Sequence, residues 1–202
     1  MNLLIQEFLT QILPADEPSV LEPLLKMARP RHFHKKELLL AEGETPTEII
    51  FIQKGIFRGF FYNAGGKDVT DCFCYRFGEP AVPSLPLDAP ANVSIESLTE
   101  SETVSFPAAP LAEFLSRSSF ALRMYNKLLL ESLSNHVEVK KMLYQYTAAQ
   151  KYAWFLEKYP GLDGNIGDKY IASFLGVTPV TLSRARKALG GTKGEQREPE
   201  EK

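Results

Sequence analysis

The densest concentration of chemically capable side chains lies near the end of the sequence, in IGDKYIASFLGVTPVTLSRARKAL. Asp168 is placed to cap a helix whose apolar side is Ile171, Ala172 and Leu175. Gly176 suits a tight turn beyond it, where a positive φ is cheap for glycine. Val177 would plug the angle to a second helix, which Thr178 caps and Pro179 opens, with Thr181 as another hydroxyl in its first turn. Leu182, Ala185 and Leu189 are expected inward, leaving Ser183, Arg184, Arg186 and Lys187 as the polar side chains. Two short helices joined at a glycine turn, the second one basic, describe a helix-turn-helix whose second helix enters a major groove. Arg184 would hydrogen-bond a guanine edge, a contact worth about 1–3 kcal/mol of discrimination. Thr178 and Thr181 would meet a phosphate or a thymine methyl, Val180 can only pack on such a methyl, and Pro179 and Ser183 complete the DNA-facing set. Lys169, Arg186 and Lys187 are expected at the phosphate backbone. The plainer alternative is a small capping bundle with a charged surface.

Other candidate chemistry is thinner. His32 and His34 stand two apart on an expected strand and share a face, but a metal would need a third and fourth ligand that the sequence does not supply. They read as rim histidines, and no metal site is assigned. Cys72 and Cys74 also share a face, yet C-x-C is not the redox spacing, so they read as small buried apolar residues. His136 lies on an apolar helical stripe and reads as a core or interface histidine. No nucleophile motif, phosphate loop or zinc-protease pattern occurs, so neither enzymatic activity nor a cofactor is expected.

Charge sharpens the reading of the last segment. The 202 residues carry 23 basic and 25 acidic side chains, a formal charge of -2 that by itself argues against nucleic acid. The average conceals a division. Residues 1–119 hold 10 basic and 16 acidic side chains, a balance of -6, whereas residues 120–202 hold 13 and 9, a balance of +4. Between 165 and 194 there are 5 basic residues and Asp168 is the one acid. An acidic half is repelled by DNA while a basic half engages it.

The elements that must position these residues follow from periodicity. Leu3, Leu4, Phe8, Ile12 and Leu13 share one helical face that Pro14 closes, and a second helix is expected over Pro18 to Met27. From Arg31 the texture turns to short strands punctuated by glycine: HFHKKELLLAEGE, EIIFIQKGIFRGFFYNAGGKDVTDCFCYRFGE and NVSIESLTESETVSFP. Asn63 to Gly66 is a hairpin signal. Beyond it, Val69, Asp71, Phe73 and Tyr75 are expected on one face, with Thr70, Cys72, Cys74 and Arg76 on the other. Short strands at near-regular spacing predict a sandwich or jelly-roll barrel. After Pro110 neither proline nor glycine interrupts the chain as far as Tyr146. Leu122, Tyr125, Leu129, His136, Val139, Leu143 and Tyr146 mark one stripe of that long helix, and Leu130, Leu133 and Val137 its neighbour. A helix apolar on more than one face must bury more than one, against its own barrel and against a second subunit. A monomeric core helix would give a similar pattern. Thr147 to Tyr159 makes another helix, with Ala148, Tyr152, Phe155 and Leu156 as its buried stripe. The tail beyond is polar, and disorder is expected there. No signal peptide and no run of eighteen apolar residues is found, so a cytoplasmic location without membrane contact is expected.

EGETPTEIIFIQKGIFRGFF, the FGE of Phe77 to Glu79, and YIASFLGVTPVTLSRARKAL resemble the CRP/FNR family of bacterial transcriptional regulators. With the long helix between them the resemblance spans nearly the whole chain. It implies an α+β protein: a cyclic-nucleotide-binding-like β-roll with N-terminal helices over residues 1–118, a dimerisation helix over 119–146, a helix-turn-helix domain over 147–190, and a tail over 191–202. It implies a homodimer built on Leu122, Tyr125, Leu129, Leu133, His136, Val139 and Leu143, a two-fold symmetric duplex as partner, and RNA polymerase as a further one. A small-molecule effector is implied at Gly78, Glu79, Ala91 and Asn92, with Ser134 and Asn135 on the long helix. The match breaks at the phosphate-binding arginine, since no arginine lies between Arg76 and Arg117. Loss of that cation costs a bound phosphate roughly 2–5 kcal/mol, so the effector is expected not to be cyclic AMP. Pro80, Pro83, Pro86 and Pro90 disfavour a regular phosphate-cradling helix. Val180 stands where family members often carry a glutamate, and no β-prone run follows Leu189, so a wing is expected to be reduced or absent. The family's iron–sulfur chemistry is excluded, because no cysteine precedes Cys72. The competing reading is a small-molecule sensor or scaffold protein whose DNA-binding domain is vestigial.

Overall fold

The computed structural model describes residues 3–13, 18–82 and 89–190. In chain order the elements are α1 (Leu3–Ile12), α2 (Pro18–Met27), β1 (Arg29–Phe33), β2 (Leu38–Leu40), β3 (Glu48–Lys54), β4 (Phe57–Tyr62), β5 (Asp68–Cys74), β6 (Pro80–Ala81), β7 (Ser94–Ser97) and β8 (Ser101–Pro107). The helices α3 (Ala108–Arg117), α4 (Ser119–Gln145), α5 (Ala148–Lys158), α6 (Asp168–Phe174) and α7 (Pro179–Ala188) follow. The chain divides into two compact units, 1–130 and 131–202, with the division inside α4.

In the first unit the strands form two antiparallel four-stranded sheets, ordered β1-β8-β3-β6 and β2-β7-β4-β5. Apart from the β4–β5 hairpin, successive strands change sheet, which is the jelly-roll way of closing a β-domain and matches the expected β-roll. Phe33, Ile50, Ile52 and Ala81 from the first sheet meet Phe57 and Ile95 from the second in a buried cluster. The other face of the first sheet carries Ile49, Val104 and Phe106, packed with Ile5, Phe8 and Leu9 of α1, Val20 and Leu24 of α2, and Leu111 of α3. Burial on both faces explains why β3 reads as the unbroken apolar run IIFI rather than as an alternation. Gly55, at φ +113°, turns β3 into β4 where a Cβ would collide with Ser101 Oγ. Pro80 sits in the edge strand β6, where a missing N–H costs least.

The hairpin at Asn63 is present: Asn63 Oδ1 accepts from the N–H groups of Gly65 and Lys67, and Gly66 takes φ +73°. The alternation expected for β5 fails at Asp71. Gly59 pairs with Cys72 and the next residue, Phe60, with Thr70, so Asp71 is an extra residue in its strand. Such a bulge reverses the faces on either side of it. Thr70 therefore bonds Arg58, while Cys72 lies against Gly59.

In the second unit, Thr147 opens α5 with a reciprocal capping box to Gln150. Its core holds Tyr152, Phe155, Leu162, Ile166, Ile171, Ala172, Phe174, Leu175, Leu182 and Ala185, with Met142 of α4. Leu156 departs from the expected stripe and is 40% exposed, because Phe155 takes the inward position. Within the described residues no helix is long and apolar enough to cross a membrane.

Candidate nucleic-acid interface

The geometry of α6 and α7 is set by backbone chemistry at the turn between them. Leu175 ends α6, and Gly176 follows at φ +62°, a conformation costly for a residue with a Cβ. The Gly176 N–H donates to Ser173 O and the Val177 N–H to Ala172 O, which uses up carbonyls that a helix end leaves open. Lys151 Nζ donates to Leu175 O at 3.1 Å and ties the turn to α5. Thr178 then caps α7: its Oγ1 accepts from the Thr181 N–H at 3.1 Å and lies 2.9 Å from Thr181 Oγ1. Pro179 occupies the first turn, as the sequence requires.

Burial divides α7 lengthwise. Leu182, Ala185 and Arg186 face the core, while Val180, Ser183, Arg184 and Lys187 are exposed and Thr181 is half-buried. Val180, Arg184 and Lys187 stand at i, i+4 and i+7, a spacing that sets them in one row. Thr178 and Pro179 are exposed at the head of that row. Lys169 is also exposed, on α6, with its Nζ 4.6 Å from the centre of the Tyr170 ring.

Arg186 corrects the sequence reading. It is 7% exposed and is not placed to contact a phosphate backbone. Its Nε donates to Tyr152 Oη at 3.0 Å, its Nη2 to Asp163 Oδ1 at 2.7 Å, and Nη1 and Nη2 to the two Asp168 oxygens at 3.1 Å each. The Asp168 carboxylate, followed by Tyr152 and Asp163, raises its pKa further, so the guanidinium is held charged. Tyr152 in turn donates to Asp163 at 2.8 Å, and burial with Asp163 beside it raises the phenol above its ordinary value. Asp168 is thereby corrected as well: Gly167 is the residue before α6, and the Asp168 carboxylate serves Arg186 instead of capping. One arginine thus fastens α7 to α5, to α6 and to the loop between them. The signal was available, since 182, 185 and 186 form one inward helical stripe and Arg186 lies on it. Leu189, expected inward, is 46% exposed because it ends α7. The tail 191–202 lies outside the described residues.

Residues expected at an effector site are placed as follows. Gly78 adopts φ +75° under Ile12 of α1, which leaves no room for a Cβ. Glu79 Oε2 accepts from the backbone N–H groups of Tyr75 and Arg76, both at 3.0 Å. Ala91 is buried, with its N–H on Glu44 O and its carbonyl on the Gly43 N–H, and Asn92 is exposed. Pro83 and Pro86 lie outside the described residues. On α4, Ser134 is exposed and Asn135 half-buried. Of the residues expected at a dimer contact, Leu122, Leu133, His136 and Leu143 are exposed, Tyr125, Leu129 and Val139 half-buried. Leu130 and Val137 add exposures of 67% and 47%.

One polar cluster escaped the sequence reading. Arg58 is buried on the face of β4 opposite Phe57, bonded to Glu96, to Asp68 at 2.6 Å and to Thr70 at 3.1 Å, and it lies over the Phe60 ring. Its charge is spent on those two carboxylates. The Cys74 thiol is pushed well above the ordinary thiol range by the adjoining Cys72 thiol and by burial, in keeping with an unreactive packing role.

No family model matches the sequence, and no curated protein does either. Solved structures do. FixK2 from Bradyrhizobium japonicum matches with a TM-score of 0.76 at 17% identity, over 84% of this chain and 90% of that one. A protein from Eubacterium rectale assigned to the CRP/FNR family of transcriptional regulators matches with a TM-score of 0.68 at 15% identity, over 90% and 86%. The c-di-GMP-responsive global regulator CLP from Xanthomonas campestris matches with a TM-score of 0.65 at 14% identity, over 85% and 91%. At these identities the likeness is one of fold, extending over nearly the whole of each chain.

Proposed function

We propose that this chain, which has the CRP/FNR fold, is a dimeric, sequence-specific DNA-binding transcriptional regulator. The observation that carries this reading is the exposed row Val180, Arg184 and Lys187 on a helix whose orientation is locked by Arg186. A capped helix with a free N-terminal half can enter a major groove, and a rigid mount is what base readout needs. Arg184 is the guanine reader. Thr178, Pro179, Val180, Thr181 and Ser183 line the same approach, and Lys169 and Lys187 neutralise phosphates.

The exposed apolar residues of α4 support a two-fold dimer. Leu130, Leu133 and Val137 lie at i, i+3 and i+7, the repeat by which one helix packs along another, and soluble chains seldom leave such a row in water. A dimer places two copies of α7 on half-sites separated by about 34–36 Å, one turn of DNA. The β-roll supplies an effector site that biases this geometry by population shift. Cyclic AMP is a poor candidate for that effector: no arginine lies between Arg76 and Arg117, Arg58 is neutralised by Glu96 and Asp68, and Glu79 is engaged by its own backbone turn. Saturating cyclic AMP should leave the thermal midpoint unchanged; a concentration-dependent rise would restore the nucleotide to this pocket.

The base-reading role is tested by fluorescence anisotropy with wild type and Arg184→Ala on a selected duplex and on one of scrambled sequence. The variant should lose preference for the selected duplex and keep its weak affinity for the scrambled one. Equal preference in both proteins would remove Arg184 as a reader.

A further inference from the structure

We propose that His32, His34 and Glu100 form a binding site for a divalent transition-metal ion of the zinc type. The strand register brings them together across some 66 residues of sequence. His32 lies on β1 and His34 is the residue just past the end of that strand, on either side of the buried Phe33, and their ring centres are 5.0 Å apart. Antiparallel pairing of β1 with β8 sets Phe33 against Ser101 and His32 against Glu102, which delivers the turn residue Glu100 to the two rings.

The geometry is that of a ligand set. Glu100 Oε2 lies 3.1 Å from His34 Nδ1 and 3.5 Å from His32 Nε2, and the three ligand atoms all fall within 4.8 Å of one another. Bonds of about 2.0–2.2 Å to a tetrahedral ion put its ligand atoms about 3.3–3.6 Å apart, so little movement is needed to admit one. The ring planes are inclined at 74°, and the carboxylate is aimed from behind by the Lys35 N–H, which donates to Oε1 at 3.0 Å and leaves Oε2 for the rings. Outer hydrogen bonds of this kind orient metal-binding carboxylates.

Two imidazoles and one carboxylate select zinc, nickel, cobalt or copper over magnesium and calcium, which prefer oxygen alone. All three residues are exposed, so the fourth position is open to water or to a ligand from another molecule. A bound ion would take an unprotonated nitrogen from each neutral ring, Nδ1 of His34 and Nε2 of His32, with the ring proton on the other nitrogen.

The chain has three histidines, which makes the test direct. Metal-free protein is titrated with zinc chloride while the imidazole C2 protons are followed by NMR and the stoichiometry by calorimetry. One equivalent should shift the signals of His32 and His34 and leave His136 in place, whereas magnesium chloride should shift none. His34→Ala and Glu100→Gln should each weaken zinc binding at least tenfold with an unchanged thermal midpoint, and the Cys72→Ser/Cys74→Ser double variant should bind as wild type does. Unmoved His32 and His34 signals at one equivalent would overturn the proposal. So would zinc binding that survives His34→Ala and disappears with the two cysteines.

Discussion

Two arginines two residues apart on α7 have opposite fates, and the difference is one of helical phase. Arg184 falls on the exposed side and Arg186 on the side that carries Leu182 and Ala185. A buried charge deprived of its partners, or partners deprived of their charge, costs about 3–5 kcal/mol. Arg186→Ala removes the cation between Asp163 and Asp168, so the unfolding free energy of the second unit from urea denaturation should fall by about that much; an unchanged value would mean that the cluster is ornamental. Lys187→Ala should do the reverse, leaving stability intact while weakening selected and scrambled duplexes alike, with the slope of log affinity against log salt falling by about 0.9. Charge alone puts both Arg186 and Lys187 at phosphates; helical phase separates them, burying the first and exposing the second. Thr178, Pro179 and Gly176 were legible, since each is demanded by local backbone chemistry. Glu100 was not, because its proximity to His32 and His34 comes from strand register and is invisible in local spacing.

At the level of elements, legibility followed the range of the forces involved. The long helix, the helix pair at 168–188 and the hairpin at Asn63 depend on periodicity, caps and turn residues, and all are found where those signals put them. The bulge at Asp71 is set by pairing with β4, so a strict alternation assigned Thr70 to the wrong face. The helix α4 is the element on which assembly depends. Replacing Leu130 and Leu133 together by aspartate should leave helicity unchanged by circular dichroism and convert the protein from dimer to monomer by light scattering. Duplex binding should then lose its dependence on two half-sites. A monomeric wild type, or a dimeric variant, would place the subunit contact elsewhere.

Over the whole molecule the formal charge of -2 averages two populations with different tasks. The acidic balance of residues 1–119 and the basic balance of residues 120–202 stay as the sequence has them. The structure refines the second figure, because Arg186 is internally neutralised by Asp163 and Asp168 and adds nothing to the exposed field. Lys169, Arg184 and Lys187 are left as the exposed cations of α6 and α7. So short a row implies modest affinity for random DNA and a reliance on two copies acting together. The most direct test is selection from a pool of random duplexes on the purified protein, with the recovered sequences titrated at two salt concentrations. Enrichment of a two-fold symmetric sequence with half-sites one helical turn apart, bound with a steep salt dependence, is the expected result. Recovery of sequences with neither symmetry nor preference at low salt would contradict the proposed function.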